Sequence, residues 1–232
     1  LYEFHYLKRN PFELLPLTAA GPPEMGADGR TWTIRLRPGI RFHDDPCFPG
    51  GTGRELVAGD FIYAWKRVAD PATESSMFAF VQGRIEGIDE WREAALAAEQ
   101  ADYDRPVPGL RAPDVVTLEV RLTRPHPRFP HLLALPFMAA VPREAVERYG
   151  KGFDDHPVGT GAYRLAEWVR DSRYVLARHP GYRDVRYPSE GEPAHGAFPG
   201  DAALGRLADA GRRVPFCDRI EVSIIEEESP RW

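Results

Sequence analysis

The chain has 232 residues, of which 43% are hydrophobic and 28% charged, enough to bury a sizeable core as one large domain or two modest lobes. A formal net charge of −5, with no basic run, argues against a nucleic-acid or membrane-surface partner. Cys47 and Cys217 are the only cysteines, too few for a disulfide framework or a complete structural zinc site, and no apolar stretch approaches the roughly 20 residues that span a bilayer.

Aromatic and apolar residues between Leu1 and Leu17, interrupted at Asn10-Pro11, predict an extended segment broken by a turn. Trp32, Ile34 and Leu36 then alternate with Thr31, Thr33 and Arg35 as a strand with one buried face, turned by Pro38-Gly39. Residues 45–54, with three glycines and prolines at 46 and 49, predict a flexible loop. Their glycines invite comparison with a phosphate cradle, but the Gly-Lys-Ser/Thr ending is absent. Phe61, Ile62, Trp65, Val68 and Ala69 make one apolar helical stripe closed by Asp70-Pro71. Ser75 to Val81 follows with Met77, Phe78 and Phe80, and Ile88, Trp91, Ala95 and Ala98 mark a second helix.

A proline-rich connector from Tyr103 to Pro113 leads into the alternating strand Val116, Leu118, Val120 and Leu122. Residues 142–150 predict a short helix with proline in its first turn and glycine after its end. Gly159-Thr160-Gly161 offers a backbone able to turn at positive φ, and feeds a hairpin in which Tyr163 and Leu165 alternate on one arm and Tyr174 and Leu176 on the other. The hairpin turn falls at Arg170-Asp171-Ser172. A polar loop over 181–200 precedes a helix expected to be capped by Asp201 and stopped at Gly211, and Ile220, Val222 and Ile224 predict the last strand.

Little in this pattern suggests catalysis. The neighbouring pairs Asp44-Asp45 and Asp154-Asp155 read as solvated loop charges, since adjacent residues of an extended chain point to opposite faces and do not share a proton. His126 and His131 are five residues apart with Pro127 and Pro130 between them, a poor spacing for a shared metal. No Gly-x-Ser-x-Gly or His-Glu-x-x-His motif occurs. The expectation is a non-enzyme without metal or cofactor.

Three stretches carry a resemblance: Asp28-Gly29-Arg30-Thr31-Trp32-Thr33-Ile34-Arg35-Leu36 with the following Pro38-Gly39, Ala58-Gly59-Asp60-Phe61-Ile62-Tyr63-Ala64-Trp65-Lys66-Arg67 with Asp70-Pro71, and Pro157-Val158-Gly159-Thr160-Gly161-Ala162-Tyr163-Arg164-Leu165 with Trp168. In wording, order and approximate spacing they resemble the family 5 extracellular solute-binding proteins, the oligopeptide- and dipeptide-binding components of ABC importers. Val57 departs from the family's usual threonine at the helix N-cap. The resemblance implies an α/β, periplasmic-binding-protein-like type II fold, incomplete here: most of lobe I, with the second lobe absent and a leader removed. It implies a larger subdomain from residues 1–38 plus 155–232 and a smaller inserted one from 39–154.

The implied function is capture of a peptide or peptide-like solute in an interlobe cleft of a periplasmic, monomeric protein that delivers it to ABC permease subunits. Implied ligand contacts are Phe78 and Phe80, in the segment where peptide-binding relatives place a tyrosine, and Gly159, Thr160 and Gly161. No nucleic-acid partner is expected. A solute-sensing or protein-interaction module on the same fold, and a hydrolase, are the alternatives.

Overall fold

The computed structural model describes residues 1–225, so the end of the expected 155–232 subdomain lies outside the described residues. In chain order, β1 (Tyr2–Arg9) and β2 (Phe12–Pro16) form a two-stranded sheet, followed by β3 (Glu24–Met25) and β4 (Thr31–Arg35). Helices α1 (Ala58–Ala69) and α2 (Ile88–Ala97) precede β5 (Leu110–Asp114) and β6 (Thr117–Arg121). Next come α3 (Phe129–Leu132), α4 (Arg143–Tyr149), β7 (Tyr163–Val169), β8 (Arg173–Arg178), β9 (Val185–Arg186), β10 (Arg213–Val214) and β11 (Arg219–Ser223). The secondary structure is mixed α/β, as expected.

By contacts the chain divides into two compact units. The first comprises residues 1–5, 11–40 and 55–143; the second comprises 6–10, 41–54 and 144–232. This grouping differs from the expected division near residues 38 and 155. Its physical reason is strand pairing: β4 pairs antiparallel with β6, Trp32 opposite Val120 and Ile34 opposite Leu118, so the N-terminal strand shares a sheet with the inserted segment.

That four-stranded sheet, in order β3-β4-β6-β5, centres the first unit. The inward set of the predicted alternation, Trp32, Ile34, Leu118 and Val120, is buried, together with Phe61 and Trp65 of α1. The Trp65 indole N–H donates to Met138 O at 3.1 Å, which satisfies its one polar atom in the core. Valine at the N-cap of α1 offers no side-chain acceptor. Asp60 compensates by reaching back to accept from Val57 N–H at 2.9 Å, the reverse half of a capping box.

The second unit is organised on the three-stranded sheet β11-β8-β7. The helix expected after Asp201 is instead a run of turns over 201–211. Gly205 sits at φ +71°, which a right-handed helix cannot contain, and Asp201 accepts from Glu192 N–H and pairs with Arg206 rather than capping a longer helix.

Candidate functional site

The 44–53 loop is pinned rather than loose. Phe42 N–H donates to Arg54 O at 3.0 Å, closing the loop at its neck. Gly53 is required there, because an added Cβ would lie 2.0 Å from Phe42 O and 2.6 Å from His43 O. Arg54 lies over the Phe42 and Phe48 rings at 5.3 and 5.9 Å and grips Glu144 through two bonds of 2.6 and 2.9 Å.

Asp45 is buried, which corrects its reading as a solvated charge. Its carboxylate accepts from Cys47 N–H at 2.8 Å and Tyr149 O–H at 2.7 Å, and lies 3.0 Å from His156 Nε2. Burial raises its pKa, but these hydrogen bonds outweigh burial and hold the carboxyl below its usual value. Burial, and then the Asp45 carboxylate, push the Cys47 thiol up to about 12. Cys47 and Cys217 are unpaired. Among the described residues no group of three or more His, Cys, Asp or Glu comes together to hold a metal.

The Gly159-Thr160-Gly161 loop leads into β7, as expected, but without the expected positive φ at either glycine. Packing within the chain does not demand glycine either: a Cβ at Gly159 would meet nothing within 4 Å, and one at Gly161 only Tyr163 O at 3.7 Å. Four successive carbonyls of this segment are nevertheless held. Gly159 O accepts from His43 N–H at 2.8 Å, Thr160 O from Arg183 Nη1 at 3.1 Å, Gly161 O bonds His43 Nε2 at 2.9 Å, and Ala162 O accepts from His179 N–H at 2.8 Å. The N–H groups of Gly159, Thr160 and Gly161 meet no protein acceptor among the described residues. Held by its acceptors, the loop leaves its donors for something else.

A cleft of about 450 Å³ opens beside the loop, lined by His43, Gly159, Gly161 and one face of the β7–β8 hairpin. On that face Leu165 stands opposite Leu176 and Trp168 opposite Tyr174. The register shift between Leu165 and Glu167 is a bulge at Ala166, and it brings Trp168 onto the face of Leu165 although the two are three residues apart. Simple alternation named Tyr163, Leu165, Tyr174 and Leu176 as strand residues but could not supply Trp168. His43 and His179 were missed, because nothing in sequence links residues so far apart; the recurrence of one histidine after each of two strand-like stretches was the available signal.

Phe78 and Phe80 lie in the other compact unit, on a 3-10 turn over Ser76–Phe80. The Arg92 guanidinium covers the Phe78 ring at 4.5 Å. Phe80 is 41% exposed and stacks obliquely on Phe137, centroids 5.3 Å apart.

The profile of "Bacterial extracellular solute-binding proteins, family 5 Middle" matches residues 13–232. The chain is 35% identical over 189 residues to the periplasmic oligopeptide-binding protein OppA of Salmonella typhimurium, covering 77% of this chain and 32% of that protein. A dipeptide-binding protein of Lactococcus lactis is 26% identical over 72% of this chain and 29% of its own length. Among solved structures, Burkholderia pseudomallei OppA matches at TM-score 0.60 and 27% identity, over 80% of this chain and 34% of that one. The substrate-binding domain of an oligopeptide ABC transporter from Bacillus anthracis matches at TM-score 0.67 and 22% identity, over 98% and 36%. The architecture is therefore that of a type II periplasmic-binding protein, and the chain spans about a third of the length of these relatives. Family profile, relatives and fold agree: the chain belongs to the bacterial extracellular solute-binding proteins of family 5.

Proposed function

We propose that the whole protein is the periplasmic substrate-binding component of an ABC importer, a monomer that encloses an oligopeptide or similar solute and presents it to membrane permease subunits without chemistry of its own. The observation that carries this reading is the loop 159–161, whose carbonyls are consumed internally while three successive N–H groups have no protein acceptor among the described residues. Peptide carbonyls and carboxylates are the acceptors such donors recognise, and glycine lets them approach the backbone closely. Gly159, Thr160 and Gly161 are accordingly assigned to the ligand. Phe80 is assigned to it as an exposed aromatic surface. Phe78 joins it as an edge contact, since Arg92 occupies its face.

Calorimetric titration of the full-length protein with a pool of di- to hexapeptides tests the reading. Saturable binding that weakens in Gly159→Ala and Gly161→Ala supports it. Binding unaffected by those variants removes the loop from the site, and no binding removes the peptide.

A further inference from the structure

His43 is 6% exposed, and both its backbone N–H and one ring nitrogen are engaged by the ligand loop. Its N–H holds Gly159 O, and its ring Nε2 lies 2.9 Å from Gly161 O. A carbonyl only accepts, so Nε2 carries the proton and neutral His43 is the Nε2–H tautomer. The other ring nitrogen, Nδ1, is then a bare lone pair, buried with no partner among the described residues. The His179 ring stands 4.8 Å away, centroid to centroid, at an interplanar angle of 62°. The backbone N–H of His179 holds Ala162 O, the carbonyl that follows Gly161 O.

We infer that His43 is a positioning residue for the ligand loop, and that with His179 it forms a proton-sensitive clasp that presents the donors of residues 159–161 only while both imidazoles are neutral. The inference rests on the proposed role of that loop in binding.

The electrostatics around the clasp set its sign. Arg164 of β7 acts on both imidazoles and opposes their protonation; Asp44, next to His43 in the chain, favours it. Asp45 and His156 share with His43 a cleft of about 300 Å³, and Arg183 stands on Thr160 O. Burial depresses the basicity of both rings, with the neighbouring His43 adding to the effect on His179. A proton on His43 would place an N–H at Nδ1 with no acceptor and a cation beside His179 and Arg164. Relief requires the ring to leave its pocket, and the ring is what holds Gly161 O. Because both folded values lie below the unfolded one, the clasp is intact above the ordinary histidine value of about 6.5 and is lost as pH falls through the folded values beneath it.

The test uses the full-length protein and needs no ligand for its first arm. Histidine ring and Gly159 and Gly161 amide resonances are followed by NMR from pH 8 to pH 5. The glycine amides are expected to shift with the same midpoint as the His43 ring, below 6.5. The second arm compares His43→Gln, which keeps an amide donor but does not titrate, with His43→Phe, which fills the ring volume without a donor. His43→Gln is expected to retain the neutral-pH amide positions and flatten their pH response. His43→Phe is expected to shift them at every pH. Peptide affinity should fall below pH 6.5 by up to about tenfold per pH unit for each proton taken up, and less steeply in His43→Gln. Glycine amides that ignore the His43 midpoint, or an unchanged pH response in His43→Gln, would overturn the clasp. A clasp that titrates in a protein binding no peptide would leave the clasp standing and remove the peptide reading instead.

Discussion

At Gly159 and Gly161 a β-carbon finds room, and at Gly53 it finds two carbonyl oxygens. Gly159→Ala and Gly161→Ala should therefore leave stability within about 0.5 kcal/mol, as surface changes do. Gly53→Ala should cost about 1–3 kcal/mol, as overpacking does, because the obstruction is backbone and cannot rotate away. Denaturant melts of the three variants check both statements, and comparable losses at all three sites would contradict them. The two thiols differ as well. Cys217 is exposed, whereas Cys47 is held largely protonated by burial and by Asp45. Maleimide at pH 8 should label Cys217 readily and Cys47 only on unfolding; equal rates would show that the Asp45 contact does not persist. Sequence held both cysteines and all three glycines without distinguishing them, since a clash of Gly53 with the Phe42 and His43 backbone, or a carboxylate over a thiol, exists only once the loop has closed.

At the scale of elements, Asp45 ties the 44–53 loop to Tyr149 at the end of α4 and to His156 on the way into the 159–161 loop. Asp45→Asn should cost about 1–3 kcal/mol, since a buried N–H or O–H is left with a poorer acceptor, and chemical denaturation at pH 7 measures it. The pH dependence has two stages. The folded value of Asp45 lies below the unfolded one, so its contribution is present above about pH 4 and is lost as pH falls through the folded value. The His43 and His179 contributions fade earlier, from about pH 6.5 downward. Only the acid stage should vanish in Asp45→Asn.

The elements themselves were largely legible where one periodicity ran unbroken. Helix α1 and strands β4, β6 and β8 fall on their apolar alternations. Legibility failed where a single residue broke the period. Gly205 turned an expected helix into successive turns, and the bulge at Ala166 rotated Trp168 onto the cleft face. A strand is recognised by period two, and a bulge is an unmarked slip of that period.

At the scale of the molecule, the motif order identified the family, because three signature stretches in one order are specific even where each alone is not. The geometry of the site was less legible. Asp44-Asp45 was read from the behaviour of an extended chain, yet the loop folds back and buries one of the pair. The hydrogen bonds on the 159–162 segment join it to residues 43, 179 and 183, contacts that only tertiary structure creates. Because the chain spans about a third of the length of its relatives, the proposed binding is tested on the full-length protein. The most direct measurement is calorimetric titration of that protein at pH 7.5 with a di- to hexapeptide pool, repeated with Gly161→Ala. Saturable binding that is at least about tenfold weaker in the variant, a loss of roughly 1.4 kcal/mol, is the expected result. Equal binding by both proteins, or none by either, would contradict the assignment of the 159–161 donors to a peptide.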